Sequence, residues 1–423
     1  VSIKALKGFK DILPEEAGTW QRIEATAREV FHRFGFAEIK IPLIEKTELF
    51  ARSIGEATDI VEKEMYTFTD RNGESITLRP EGTASVLRAF IEHGLHVRQP
   101  VNRLYTIGPM FRHERPQKGR LRQFHQLSVE AVGSEHPRLD AELMAMAWLL
   151  LTELGLSTSL EINSLGCSQC RPRFKENLVD YVKARLGDFC DDCVRRSDTN
   201  PLRVLDCKKD RCREAYREAP SIFDHLCADC RAHFSAVEEG LSILAVPYRV
   251  NPFMVRGLDY YTRTTFELLS GALGAQSAVG AGGRYDGLVA QLGGPALPGI
   301  GFAMGVERLV LLLQQLGSEE EKRAIDVYLA ALGEEASAAA FRLLDQLRRK
   351  GVRAMMDHEG RSLKSQMKQA GKLQARYVFI LGEEELKRCE LVVKEMATGE
   401  QTIVALPEEA GAWCETVAEK IKF

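Results

Sequence analysis

Apolar positions recur with a helical period over residues 18–34, with Phe31 and Phe34 on one side and Gly35 as a stop. The next segment, FAEIKIPLIE (36–45), alternates as a strand does. Pro42 within it cannot donate a ladder hydrogen bond, which argues against an interior, doubly paired position. MYTFTD (65–70) and ESITLRP (74–80) are shorter alternating runs separated by RNG, a hairpin signal. Helical spacing returns in EGTASVLRAFIEHG (81–94), which Gly94 ends. NRLYTIGPMFRHE (102–114) and RQFHQLSVEAVG (122–133) then read as two strands joined by the basic loop RPQKGRL, and LDAELMAMAWLLLTELG (139–155) is strongly helical.

After LEINSLG the texture changes. Cysteines and charges dominate 167–234, which reads as an insertion, and patterned sequence resumes beyond it. Glycine is dense from 272 to 301, and IGFAMGVERLVLLLQQLG (300–317) predicts a strand entering a buried helix. SEEEKR (318–323) has the composition of a linker. Beyond it, the apolar runs IDVYLAAL, VRAMMD, YVFILG, ELVVKEM and EQTIVAL alternate with helical segments, predicting a small α/β domain at 324–423.

Composition adds bounds. A chain of 423 residues exceeds what one core organises, so two or three domains are expected. The net charge of −3 excludes a global field for nucleic acid, so any such partner must be met by local patches. No run approaches the roughly 18 apolar residues of a membrane span, and the first residues, VSIKALKGFKDILPEE, lack a secretory apolar core. A cytoplasmic protein without membrane contact, its cysteines reduced, is the expectation.

Three stretches concentrate chemistry. In the 103–133 hairpin, Arg112, Arg115, Lys118, Arg120 and Arg122 surround the loop, and Phe124 lies on the following strand. Arginine forks suit phosphate oxygens and an aromatic ring suits a base, although a solvated basic hairpin is the plainer reading of that loop alone. RGLDYYTRTTFEL (256–268) packs a cation, a carboxylate and two tyrosines into six residues; by itself it reads as a strand whose tyrosines alternate between core and surface. GAGGRYDGL (280–288) follows it.

Taken together, GFAEIKIPLIE, GPMFRHERPQKGRLRQFHQLSVEAVG and GIGFAMGVERLVLLL resemble the three ordered motifs of class II aminoacyl-tRNA synthetases. RGLDYYTRTTFEL and GAGGRYDGL resemble the two signature segments of histidyl-tRNA synthetases, and LRPEGT (78–83) fits the same family. The resemblance implies an α+β fold: a class II antiparallel sheet flanked by helices (1–166 and 235–317), a helical, cysteine-rich insertion (167–234) and a C-terminal α/β anticodon-binding domain (324–423). It implies a histidine–tRNA ligase acting on L-histidine, ATP with Mg2+ and histidine tRNA, and a homodimer joined through the first motif.

The implied roles fall on particular residues. Arg112 and Arg256 would flank the α-phosphate as catalytic cations, Arg256 standing where other class II enzymes use a metal ion, with Asp259 orienting it or the substrate. Glu114 and Phe124 would hold the adenine, Arg308 would sandwich it and contact the γ-phosphate, and Arg120 or Arg122 would reach the outer phosphates. Glu81, Gly82 and Thr83 would receive the α-amino group of histidine. Gln126, Glu130, Tyr260, Tyr261 and Tyr285 would line the histidine pocket, with Glu130 and Tyr261 meeting the two imidazole nitrogens; Gly280, Gly282 and Gly283 would form its floor. Polar groups at both ring nitrogens would reject apolar isosteres. Gln117 and Lys118 would touch the acceptor stem. Lys364 and Lys368, with Arg361 at helical spacing before Gly371 ends the helix, would touch the anticodon arm.

Eight of the ten cysteines remain to be explained: Cys167 and Cys170, Cys190 and Cys193, Cys207 and Cys212, Cys227 and Cys230. Such pairs are zinc-like, since each supplies two thiolates, and the insertion carries little apolar material of its own. Two four-cysteine structural zinc sites, one site with spare thiols, and unmetallated thiols all fit the spacing. Cys389 and Cys414 are isolated and read as packing residues.

Overall fold

The structure is a computed structural model, and it describes residues 3–55, 58, 60–272, 278–317, 325–407 and 412–420. The chain divides into two compact units, Val1–Ser318 and Glu319–Phe423. SEEEKR lies outside the described residues.

In chain order the first unit contains β1 (Ala37–Glu38), β2 (Ile44–Lys46), β3 (Tyr66–Thr69), β4 (Ser75–Leu78), β5 (Asn102–Phe111), β6 (Gln123–Val132), β7 (Ser159–Ser164), β8 (Tyr248–Val250), β9 (Thr262–Leu269), β10 (Ala278–Arg284) and β11 (Gly299–Gly305). Eight of these form one sheet in the order β1-β5-β6-β11-β10-β9-β7-β8. It is antiparallel except at its rims, where β1 pairs parallel with β5 and β8 parallel with β7. Helix Pro14–Arg33 starts earlier than its apolar periodicity, because Pro14 and the acidic Glu15 and Glu16 make a good first turn. It buries Ile23, Ala27, Val30 and Phe31 at turn-by-turn spacing, and helix Pro137–Glu153 adds Leu143, Met146, Ala147 and Leu150 to the same core. One face of the sheet is thereby covered, leaving the other for the site.

FAEIKIPLIE is not one strand. Its ends pair in different sheets, β1 in the large one and β2 beside β4 in a three-stranded one. Between them the carbonyls of Ile41 and Pro42 turn to the buried Arg79, whose Nη1 donates to them at 2.8 and 3.2 Å. RGLDYYTRTTFEL also splits. Only Thr262 onward is strand, and the tyrosines lie in the preceding turn, both buried rather than alternating.

The second unit has β12 (Val327–Leu332), β13 (Ala354–Met356), β14 (Tyr377–Gly382), β15 (Glu390–Glu395) and β16 (Gln401–Ala405), ordered β13-β12-β14-β15-β16. Apolar clusters lie on both faces, as a parallel-centred sheet between helices requires. Helix Leu363–Lys372 continues through Gly371, and Gln374 at φ +52° takes the left-handed position after it. Arg361 precedes this helix, where its backbone N–H is held by Asp357, so the basic helical face is made by Lys364 and Lys368 and extended by Lys372 in the last turn.

At the end of β10, Arg284 is fully buried and binds both carboxylate oxygens of Asp140 through Nε at 2.9 Å, with Asp286 at 3.0 Å. Removing one partner of such a pair leaves a buried charge uncompensated, so Arg284→Met should destabilise the first unit by about 3–5 kcal/mol. Pairing it with Asp140→Leu should restore most of that loss. Urea unfolding of both variants checks this; a single variant within 1 kcal/mol of the parent (well below the roughly 3–5 expected) would show the pair to be dispensable.

Candidate active site

The uncovered face of the sheet opens into a cleft of about 1230 Å³. Arg112, Arg120, Arg256 and Arg308 line it together with Glu114 and Glu267. These come from distant segments: the end of the β5–β6 hairpin, the turn before β9, and the helix Val306–Gln315 that β11 feeds.

Each arginine is held by protein oxygens. Arg112 Nε donates to the Pro80 carbonyl at 2.9 Å and its guanidinium lies 5.3 Å from the Phe124 ring centroid. Arg120 pairs with Glu114 at 3.1 Å. Arg256 donates to Glu267 through Nη1, while its buried Nε has no hydrogen-bond partner among the described residues. Arg308 donates to the carbonyls of Gly119 and Ala278. Burial, and then the like charges of Arg120 and Arg112, push the Arg308 pKa down. Cations crowded this way form a site for an anion, most simply a polyphosphate.

Glu267 went unnamed in the sequence reading, although the signal was present. Phe266 and Leu268 are buried on the core side of β9, so period-two alternation turns Glu267 to the cleft. It, not Asp259, fixes Arg256: the Asp259 carboxylate accepts from Asn200 of the insertion at 2.9 Å.

The other end of the cleft is aromatic and nearly neutral. Tyr260 and Tyr261 pack at a tilt of 49° with ring centroids 4.7 Å apart, and Tyr285 meets Tyr260 edge-on at 6.0 Å. Burial raises all three phenol pKa values, so the hydroxyls remain donors. Glu81 takes the backbone N–H groups of Thr83 and Ala84 at 2.7 and 2.9 Å, capping helix Thr83–Glu92, and it still lines the cleft beside Thr83 and Gln126. The buried Gln126 Oε1 has no hydrogen-bond partner among the described residues.

Several expected residues stand elsewhere. Glu130 lies beneath the wall: Thr83 Oγ1 donates to one of its oxygens at 2.7 Å and the Tyr285 hydroxyl to the other at 2.5 Å. Burial pushes its pKa up to about 8. Gly301 is required above it, since a Cβ there would sit 2.0 Å from Glu130 Oε2. Gly82 is also off the wall, confined by Ser128 Oγ at 2.8 Å from a would-be Cβ. Of the three expected floor glycines only Gly280 lines the cleft. Gly282 and Gly283 are dictated by neighbouring strands, whose carbonyls would be 2.2 and 2.6 Å from a Cβ. Arg122 does not reach the cleft either. Its side chain donates to the carbonyls of Glu114 and Lys7, clamping the N-terminal segment against the hairpin, so Arg120 is the loop arginine at the site. Gln117 and Lys118 are exposed at the loop tip, where Gln117 and Arg120 exchange backbone hydrogen bonds around Gly119 at φ +76°.

A third portion of the wall comes from the insertion: Arg195, Arg203, Asp206, Lys208 and Arg213 line the same cleft. The eight clustered cysteines form two groups of four, each group having all its sulfurs within 4.8 Å of one another.

Comparison with known proteins agrees with this geometry. A family model described as histidyl-tRNA synthetase matches residues 8–170 and 199–309, and one described as an anticodon binding domain matches 326–412. The histidine–tRNA ligase of Desulfotalea psychrophila is 57% identical over 407 residues, covering 96% of this chain and 94% of that protein. That of Geobacter sulfurreducens is 56% identical over 412 residues, covering 97% and 99%. Among solved structures, apo histidyl-tRNA synthetase from S. aureus superposes with a TM-score of 0.81 at 39% identity, covering 98% of this chain and all (100%) of that one. The histidyl-tRNA synthetase of Nostoc sp. PCC 7120 shares the fold, with a TM-score of 0.69 at 21% identity, covering 99% and 100%.

Glu130 sets a pH dependence. Its folded pKa is raised from 4.5 to about 8, so between these values the folded chain holds a proton that the unfolded chain releases. Its contribution to stability is full below the lower value and falls as pH rises to the upper one. Glu130→Gln does not titrate, so the melting temperature of the parent should fall relative to the variant as pH is raised through this window. One pKa unit is worth about 1.4 kcal/mol, making the total a few kcal/mol. A parent–variant difference that stays constant across the window would refute the assignment.

Proposed function

The chain belongs to the histidyl-tRNA synthetase family, and from that premise we propose how its residues divide the work. It is a histidine–tRNA ligase: ATP and L-histidine give histidyl-adenylate and pyrophosphate, and the histidyl group then passes to the 3′ end of histidine tRNA with release of AMP.

The observation that carries the assignment of roles is that Arg112 and Arg256 line one cleft with the tyrosine cluster. In the first step a carboxylate attacks an already anionic phosphorus, and negative charge grows at the non-bridging oxygens. Two fixed guanidinium groups offset that charge without reorganising, because Pro80 and Glu267 already hold them. Arg120 and Arg308 take the outer phosphates, with Mg2+ as the usual companion of ATP, and Glu114 and Phe124 take the adenine. Glu81 and Thr83 receive the α-amino group. Gln126, Tyr260 and Tyr261 face the imidazole. Glu130 acts through Thr83 and Tyr285, positioning both, and its raised pKa spares the pocket a second full negative charge beside Glu81.

For the second step, Gln117 and Lys118 at the hairpin tip contact the acceptor stem. Lys364 and Lys368, exposed one turn apart in the anticodon-binding domain, contact the anticodon arm. We assign 1–166 and 235–317 to catalysis, 167–234 to an insertion that takes structural zinc, and 324–423 to anticodon binding. A homodimer is supported by the exposed Ile12, Leu13, Leu43 and Ile44 near the first motif. Among the described residues no helix is long and apolar enough to cross a membrane, and we place the enzyme in the cytoplasm.

Arg112→Ala and Arg256→Ala should each lower histidine-dependent exchange of pyrophosphate into ATP by at least about 10²–10³-fold while the protein stays folded. Near-normal exchange in either would refute the two-cation account. Deleting 319–423 should reduce tRNA charging far more than pyrophosphate exchange, and an equal loss of both would contradict the role given to the second unit.

A further inference from the structure

The eight insertion cysteines are paired in an order that the sequence does not reveal. The first pair, Cys167 and Cys170, meets the last, Cys227 and Cys230; the second, Cys190 and Cys193, meets the third, Cys207 and Cys212. All eight are separate thiols. We propose that each group binds one zinc ion through four thiolates, giving two nested structural sites, the outer fastening the insertion to the catalytic sheet and the inner closing its far lobe against the cleft. This deepens the zinc reading above.

Sulfur geometry supports zinc. A Zn–S bond of about 2.3 Å places the sulfurs of a tetrahedron about 3.8 Å apart. Cys167 Sγ lies 3.4 Å from Cys170 Sγ and 3.9 Å from Cys227 Sγ, and Cys190 Sγ lies 4.0 Å from Cys207 Sγ. All four sulfurs of each group lie within 4.8 Å of one another, a spacing that such a tetrahedron satisfies.

Backbone amides complete the surroundings. Gln169 N–H donates to Cys167 Sγ at 3.4 Å, Cys227 N–H to Cys170 Sγ at 3.2 Å, and Cys190 N–H to Cys212 Sγ at 3.2 Å. Such donors stabilise thiolate charge and fix the sulfur lone pairs toward a shared centre. Four protein ligands leave no open position, so neither ion serves catalysis.

Position gives each site its role. Cys167 and Cys170 follow β7 of the catalytic sheet, and Cys227 caps the helix Ala228–Ile243, whose Phe234, Val237 and Leu241 enter the main core. The outer site therefore joins the two points where the chain leaves and re-enters the catalytic fold. The inner site sits in a small apolar cluster: Val182, Phe189 and Val204 join three of its own buried cysteines, with Tyr181, Val194, Ala215 and Tyr216 half-buried around them. Cys207 lines the cleft between Asp206 and Lys208, so the inner ion fixes the insertion's charged wall.

Enzyme purified without chelator should contain two zinc ions per chain by plasma emission, and its cobalt form should show the intense visible bands of tetrahedral tetrathiolate coordination. Nested pairing makes an unusual demand on double variants. Cys167→Ser with Cys227→Ser should lose one ion, as should Cys190→Ser with Cys207→Ser, whereas Cys167→Ser with Cys190→Ser should lose both. Should any variant fail to fold, the parent still answers: one ion is released with limiting mercurial, the freed thiols are alkylated, and mass spectrometry should find one whole group of four modified together. Fewer than two ions in the parent, or freed thiols drawn equally from both groups, would overturn the proposal. Metal is counted on the resting enzyme, so zero metal with normal pyrophosphate exchange removes the zinc and leaves the ligase, while two ions with sequential pairing removes only the nesting.

Discussion

Arg112 and Arg256 are like charges lining one cleft, and each is tethered by a protein oxygen. Glu267 holds Arg256 from one side and the Pro80 carbonyl holds Arg112, so neither guanidinium escapes toward solvent. Glu114 does the same for Arg120. Each carboxylate offsets part of a charge without filling the cleft, and the buried Nε of Arg256 still has a donor to offer. A site assembled in this way binds the developing charge of a transition state better than a ground state of lower charge, because its dipoles are already oriented.

The aromatic end, where we propose that histidine binds, follows the opposite logic. An imidazole carries at most one charge and must be told from an apolar ring, so the pocket needs hydrogen bonds more than field strength. Two carboxylates, Glu81 and Glu130, lie close together there. Glu81 is satisfied by the N-terminus of a helix, which tolerates its charge. Glu130 has no such cation or dipole end among its partners, only Thr83 and Tyr285, and burial keeps its proton on until about pH 8. Burial raises the pKa of both glutamates; Glu81 keeps two backbone N–H donors that favour its charged form, and Glu130 has none among its partners. Gly301 makes room for Glu130 by leaving no Cβ where it must lie.

Much of this was legible from the residue pattern, and the misses share a cause. Alternation and helical spacing located the β5–β6 hairpin, β11 and the helix after it, and the second unit, because their faces are sharply divided between core and surface. FAEIKIPLIE misled because its apolar residues serve a loop whose carbonyls are claimed by Arg79, a partner 37 or 38 residues away. Arg122 misled for a similar reason: charge and position suited a phosphate, but the carbonyl of Lys7, 115 residues distant, takes its guanidinium. Glu267 was readable, since it alternates with Phe266 and Leu268. Which cysteines meet was not, because eight identical thiols offer no pattern that distinguishes one partner from another.

The insertion shows how a fold can extend a site without enlarging its core. The main core holds the catalytic sheet rigid through large apolar side chains on two long helices. The insertion's own clusters are small, yet Arg203, Lys208 and Arg213 line the same cleft as the arginines on the sheet. Apolar burial scales with the area available, and a lobe of this size has little. Short covalent-like links are the remaining way to fix such charges in place. Four sulfurs gathered at the base and four more beside Lys208 supply anchor points where they are needed, and a tetrathiolate ion in the inner group would add net negative charge next to that basic wall. The same groups that hold the wall would then also reduce its self-repulsion.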